Sequence, residues 1–591
     1  MSWAPTADEA ARAGASYDWL TAAGDGLYWV ESSAEVGRAV VMGWEQARGT
    51  SVPQTRRVTT AGVGSGLHAY GGRPYVVLPS GEVVVVDAAT GQVTAGTAAT
   101  RTAHIYGDLA WSGGELLCVR EDDGGDELVA IDPGTGVATV LRATDGFFAS
   151  PESGAGRLAW TSWDRDVMPW DSSQIWVVDH VPGGVVGVPV LVAGGPSESA
   201  VQPRWAADGS LFFLSDRSGW WNLCRWYGGR PEAVAPMPAE CAAAPWESGY
   251  ANYVLLPAGR IGMTVQHGPE HRLVVVEPDG SIRILSLPYT SVKPYLAAVG
   301  DRIALIGASP TRPQEVALVA TDGSDRLEVV RRGPLDGHAE VSVPQVLRVA
   351  SAGVEVTVLF YPPTTGHGPA PLIVRPHSGP THHSDLRLDW EVQFFTSRGF
   401  AVADVDYRGS TGYGRQFRKA LDGNWGRLDV ADCRNVAEHL LATGRALPQA
   451  VFISGASAGG YTALRAACED GPFTMAVARS AIVDPNRWKT TAPRFQQPHA
   501  AILTHDHAAV TSDQVRRPVL LIHGDRDDVA PVDDATTLAA ALERRHLLAG
   551  MLRLDGVGHY LSPPAALAAA LQAELDAYHA VLRQAGLPAP G

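Results

Sequence analysis

Three features of the 591-residue sequence predict an all-β propeller, with seven blades the expected number, followed by an α/β-hydrolase domain. One is a strand–turn–helix pattern around Ser457. Another is the chain order Ser457, Asp527, His559, each residue ending a predicted strand. The third is a long N-terminal stretch of short strands separated by Asp, Pro and Gly turns.

The segment 451–460 starts with four residues suited to a buried strand. It then turns at Gly455-Ala-Ser457-Ala-Gly459 and runs into helix formers from Tyr461 to Cys468. This is the G-x-S-x-G pattern in the context its chemistry requires. A sharp strand-to-helix turn brings backbone against backbone, and glycine alone leaves room there. The turn lifts the Ser457 hydroxyl above the sheet and points a helix N-terminus at negative charge developing beside it. By itself the pattern also fits a plain glycine-rich turn.

A serine hydroxyl becomes a nucleophile only beside a base, and the base needs an orienting acid. Pro518 opens a hydrophobic strand, and Asp525, Asp527 and Asp528 follow at its C-terminal end. Residues 551–554 read as a further strand, with His559 on the loop after it. His559 alone reads equally as a surface loop histidine. In the order Ser, Asp, His, with each group at a strand end, the three read as a catalytic triad.

With these motifs the C-terminal third resembles the catalytic domain of the prolyl oligopeptidase family of serine peptidases. Residues 372–380 (LIVRPHSGP) are similar to its strand and HGGP loop, with Ser378 replacing the first glycine. Residues 404–414 (DVDYRGSTGYG) match its DYRGSTGYG signature, and His523-Gly-x-x-Asp527 with Pro531 matches the pattern that carries the acid. The resemblance implies Asp527 as the acid rather than Asp525 or Asp528. It implies an oxyanion hole formed by the N–H groups of Ala458 and Gly379. Serine tolerates positive φ less readily than glycine, so Ser378 bears on how that loop is shaped.

From Tyr17 to Pro334 the chain repeats a unit of strand, Asp or Glu, small residues, Gly, strand, as at 83–91, 128–136 and 273–280. Apolar runs bounded by such clusters read as hairpins. A spacing of roughly 40–50 residues is that of propeller blades. Seven blades fit the length, six or eight remain open, and a pair of β-sandwiches is the competing architecture. Segments 160–171 and 202–222 resemble bacterial acylaminoacyl, dipeptidyl and aminoacyl peptidases. The expected organisation is an N-terminal segment, 1–16, packing on the hydrolase domain, a propeller over 17–335, and the hydrolase domain over 336–591. The segment 6–15 reads as a helix with Thr6 as its N-cap.

Composition bounds the function. No apolar run approaches 18 residues, so no membrane span is expected. The first ten residues lack a secretory pattern, and the expected location is cytoplasmic. Five cysteines at wide spacing argue against a disulfide framework or zinc site, and Cys468 reads as packing. A net charge of -16 without a basic stripe disfavours nucleic acid. His377, His382 and His383 invite a metal reading, but Asp385 is the one further ligand type at suitable spacing, and the loop resemblance accounts for His377. No metal or organic cofactor is expected.

The expected function is amide hydrolysis through an acyl-enzyme, most simply by an aminopeptidase-type exopeptidase. In the family the propeller covers the active site, which implies short peptides or small aminoacyl amides as substrates. The family also forms dimers and larger assemblies, so a homo-oligomer is open to this chain. A free substrate amine needs carboxylates near the site. The propeller candidates are Glu121 with Asp122, Glu198 and Glu240, each of which reads equally as a solvated strand-end carboxylate. Trp488 and Phe495 read either as walls of an apolar substrate pocket or as packing. Their segment, 488–513, looks shortened, with glutamine where related enzymes carry an acid. An acylaminoacyl peptidase or oligopeptidase, an esterase, an amidase specialised for a small natural product, and a silent scaffold are the competing readings.

Overall fold

In the computed structural model the described residues are 4–33, 36–46, 54–334, 340–366, 368–504 and 509–589. The chain divides into two compact units. One comprises Ala15–Ser309 and Gln314–Gly333, the other Met1–Gly14, Pro310–Pro313 and Pro334–Gly591. The expected join at 335/336 lies outside the described residues.

The first unit is a seven-bladed β-propeller. Six antiparallel four-stranded sheets span 16–57, 75–99, 105–144, 147–194, 200–233 and 253–284, and a five-stranded sheet spans 291–332. Aspartates in the repeated turns cap their own backbone: Asp87 Oδ1 accepts the N–H groups of Ala89 and Thr90, and Asp132 Oδ1 that of Gly134. These are Asx turns, which is why the motif recurs from blade to blade. Each blade is a contiguous piece of chain, so the ring closes by side chains. Tyr17 and Trp29 of the first blade pack with Ile306 and Leu318 of the last. Two ion pairs join the same blades, Lys293–Asp18 at 2.6 Å and Arg331–Glu31 at 2.6 Å.

The second unit is an α/β-hydrolase domain. Its strands are β1 (Gln345–Ser351), β2 (Val354–Tyr361), β3 (Ala370–Pro376), β4 (Ala401–Asp406), β5 (Ala446–Ala456), β6 (Met475–Arg479), β7 (Val519–Gly524) and β8 (Leu548–Leu554). They lie in the order β1-β2-β4-β3-β5-β6-β7-β8 and are parallel from β4 onward along that order. Successive residues of the central strands face opposite layers. Leu372, Val374, Val451 and Ile453 enter the core on one side, and Ile373, Ala450 and Phe452 enter the core on the other. Each fully buried aliphatic or aromatic side chain contributes roughly 1.5–3 kcal/mol. Such continuous apolar runs belong to a sheet covered on both faces.

The N-terminal helix Ala7–Arg12 packs on this sheet's outer layer. Thr6 caps it, with the Glu9 N–H donating to Thr6 Oγ1 and the Thr6 N–H to Glu9 Oε2. Ala10 is buried in the same cluster as Tyr578. Among the described residues no helix is long and apolar enough to cross a membrane.

Candidate active site

Strand β5 ends at Ala456, and the helix Ala458–Ala466 starts two residues later. Ser457 forms the corner at φ 53° and ψ -115°, a backbone conformation that L residues rarely hold. A Cβ at Gly455 would fall 2.3 Å from the Gly459 carbonyl, and one at Gly459 would fall 2.2 Å from the Pro376 carbonyl oxygen. Glycine at both positions is therefore what lets the helix start against the end of β3. The Ser457 N–H donates to the Arg479 carbonyl at 2.9 Å. The Arg479 side chain pairs with Glu574 and Glu391, and burial of its charge is outweighed by these carboxylates, which raise its pKa. The strained corner is thus pinned to the end of β6 by a buried ionic cluster.

His559 Nε2 lies 3.0 Å from Ser457 Oγ, and its Nδ1 lies 3.0 and 2.9 Å from the two oxygens of Asp527. A carboxylate only accepts, so Nδ1 carries the proton and Nε2 presents its lone pair to the serine hydroxyl. Asp525 instead accepts the Gly556 N–H, and Asp528 is exposed. The Asp527 side chain is buried. Burial favours its neutral form, but hydrogen bonds from His523 and His559, and from the Ala530 N–H, overcome this and hold its pKa well below the ordinary carboxylate range.

His523 is a site residue whose role the motif alone did not reveal. Its Nε2 faces the Ala530 carbonyl at 2.9 Å and Asp527 Oδ2 at 3.1 Å. Both are acceptors here, so Nε2 carries a proton and donates to them. The signal lay in the spacing: His523 is the penultimate residue of β7 and sits four residues before Asp527.

Ala458 is the first residue of the helix that follows Ser457. Gly379 has φ 124°, which glycine adopts freely; Ser378 is not among the residues with positive φ, so the serine in the loop carries no such strain. The loop is braced by the signature segment after β4. His377 Nδ1 donates to the Ser378 carbonyl at 2.8 Å, and its Nε2 lies 2.6 Å from Ser410 Oγ. Burial and the neighbouring His382 push the His377 pKa down to about 3, so the ring is neutral. Its ring stacks on Tyr407 at 4.3 Å, and the Tyr407 hydroxyl donates to the His377 carbonyl. His383 Nδ1 lies 2.9 Å from Thr411 Oγ1, and the His382 carbonyl accepts the Thr411 N–H. Arg408, held by Asp432 at 2.7 Å, anchors the brace.

The remaining candidates lie in other surroundings. Glu121 accepts the His68 N–H at 2.9 Å, Glu198 binds Ser215 and Arg217, and Glu240 accepts the Trp221 N–H at 2.8 Å. They lie at different places along the propeller chain. His68, Glu121 and Asp126 have the residue types of a metal site, but His68 Nε2 and Asp126 Oδ2 are joined directly by a 2.7 Å hydrogen bond. Trp488 lies in the core of the sheet and donates its indole N–H to the Val529 carbonyl, in the acid loop. Phe495 is buried as well. Residues 505–508 of the shortened segment lie outside the described residues.

A propeller, an α/β-hydrolase sheet and this hydrogen-bonded serine define a class, and sequence and structure comparisons agree on it. The profile of the prolyl oligopeptidase family matches residues 386–584, which include Ser457, Asp527 and His559. A puromycin-hydrolyzing peptidase of Mycobacterium tuberculosis is 30% identical, with a TM-score of 0.89 covering 98% of this chain and 96% of that one. A puromycin hydrolase superposes with a TM-score of 0.91 at 26% identity, covering 100% and 98% of the two chains. The uncharacterized peptidase YuxL of Bacillus subtilis is 24% identical over 270 residues, 43% of this chain and 41% of that protein. The match thus spans less than half of that curated relative. The chain belongs to the prolyl oligopeptidase family of serine peptidases.

Proposed function

We propose that the protein hydrolyses amide bonds of short peptides and aminoacyl amides as an aminopeptidase-type exopeptidase, through an acyl-enzyme on Ser457. The observation that carries this reading is the unbroken hydrogen-bond chain Asp527–His559–Ser457. His559 takes the Ser457 proton as Oγ attacks the substrate carbonyl. Asp527 fixes the imidazole tautomer and stabilises the imidazolium. The N–H groups of Ala458 and Gly379 receive the oxyanion, each such donor being worth about 2.7–4 kcal/mol in the transition state. The C–N bond breaks as His559 passes the proton to the leaving amine, and water repeats the sequence on the acyl-enzyme.

Similarity to puromycin-hydrolyzing proteins supports a small aminoacyl amide as substrate, since puromycin joins an amino acid with a free amine to a nucleoside through an amide. A second reading has its own support. Glu121, Glu198 and Glu240 are all engaged within the propeller, which favours a substrate with a blocked amine, as an acylaminoacyl peptidase takes. The five unpaired cysteines fit a reducing, cytoplasmic setting.

Hydrolysis of Ala, Phe, Pro and Leu arylamides and of puromycin, compared with the N-acetylated arylamides, tests the reading, with Ser457→Ala as the blank. Cleavage of the free-amine substrates alone supports it. Cleavage of the acetylated forms alone contradicts the aminopeptidase assignment.

A further inference from the structure

We propose that Tyr560 forms a subsite for the leaving group and makes the enzyme favour amides whose leaving amine carries an aromatic ring or nucleobase. The inference rests on the proposed amidase reading. Among the described residues the exposed large apolar side chains include two aromatics, Tyr227 on the propeller and Tyr560, which is 59% exposed. Among the described residues of the hydrolase domain Tyr560 is the one exposed Phe, Tyr or Trp, and it directly follows His559. Its ring meets the imidazole edge-on, at 5.4 Å between centroids and 75° between planes.

The backbone on either side is fixed. Val557 is buried in the core of the sheet and Leu561 packs against the same core, while His559 is tied to Asp527. The Val557 carbonyl also accepts the Arg526 N–H at 2.9 Å. These anchors keep the Tyr560 ring beside the imidazole, with more than half of the residue exposed.

The reaction itself puts the leaving group there. When Ser457 Oγ bonds to the carbonyl carbon, the C–N bond breaks, and the nitrogen receives its proton from His559 Nε2. The substituent on that nitrogen therefore starts next to the imidazole. Aromatic rings associate at centroid separations of roughly 4.5–7 Å, and a nucleobase presents the same kind of face. An aryl or nucleoside leaving group can pack on Tyr560, whereas a glycine leaving group has no ring to place there.

The test compares kcat/KM for alanine p-nitroanilide and alanyl-glycinamide, which share one acyl group, in the unaltered enzyme, Tyr560→Ala and Tyr560→Phe. The expected result is that the ratio of the aromatic to the aliphatic amide falls about tenfold in Tyr560→Ala and holds in Tyr560→Phe. A ratio unchanged in Tyr560→Ala, whatever happens to the absolute rates, would overturn the assignment. Cleavage of neither amide by the unaltered enzyme would overturn the amidase reading and this assignment with it.

Discussion

His523 Nε2 lies 3.1 Å from Asp527 Oδ2, so the carboxylate that orients His559 is itself held by a second histidine. Loss of a hydrogen bond to a buried charged group costs about 1.5–3 kcal/mol. His523→Leu is therefore expected to lower kcat by roughly 10- to 150-fold, with the fold retained. His523→Gln can keep an N–H near the same point and should recover most of that loss. The check is saturating kinetics on an arylamide together with circular dichroism. An equal loss in both variants would show that donation to Asp527 is not what His523 supplies.

Asp527→Asn is expected to lower kcat by about 10⁴-fold, because the amide stabilises the wrong imidazole tautomer. The native carboxylate stays ionised through the range in which an imidazole titrates, since its pKa is held down by His523 and His559 against the effect of burial. On the acid side, log kcat/KM should therefore fall with a slope of one per pH unit. A slope of two would mean that a second group, Asp527 the first suspect, protonates together with the base.

Gly459→Ala would place a methyl group 2.2 Å from the Pro376 carbonyl oxygen and 2.9 Å from that of His377. Neither backbone atom can rotate away, so the helix or the oxyanion loop must shift. Overpacking of this kind costs about 1–3 kcal/mol. Urea denaturation should show a lower midpoint, and hydrolysis should drop below a tenth of the unaltered rate. Unchanged stability and rate would mean that the close approach of helix and strand is not required.

Asp429 is fully buried, accepting the Gly426 N–H and the Thr462 hydroxyl. Burial pushes its pKa up to about 6, with those two hydrogen bonds opposing the shift. The unfolded value is near 3.9. Between about pH 4 and 6 the native state binds more protons than the unfolded one, so this group's contribution to stability falls as pH rises through that window. Asp429→Asn removes the titration, and its stability relative to the unaltered protein should improve by about 2 kcal/mol from pH 4 to pH 6.5. Unfolding curves at the two pH values measure this. A pH-independent difference would contradict the assignment.

The elbow, the chain order of the three site residues and the hairpin turns were legible because each depends on local chemistry. Gly455 and Gly459 are demanded by one tight turn, and Asp87 and Asp132 cap their own turns. The roles of His523, Arg479 and Tyr407 were not legible in the same way. Arg479 reaches Glu574 across 95 residues, and Tyr407 reaches the His377 loop across 30. Such contacts come from the parallel sheet bringing strand ends together, and no short motif encodes them. Glu121, Glu198 and Glu240 could be picked out as carboxylates, but partners such as His68 and Trp221 lie on other turns of the propeller and appear only once the blades are assembled.

The central claim is that Ser457 is the activated nucleophile. The most direct test is reaction with a fluorophosphonate, followed by intact mass and peptide mapping, for the unaltered protein, Ser457→Ala and His559→Ala. One adduct on the peptide containing Ser457, absent from Ser457→Ala and strongly slowed in His559→Ala, is the predicted result. An unlabelled native protein, or an adduct on another residue, would contradict the account.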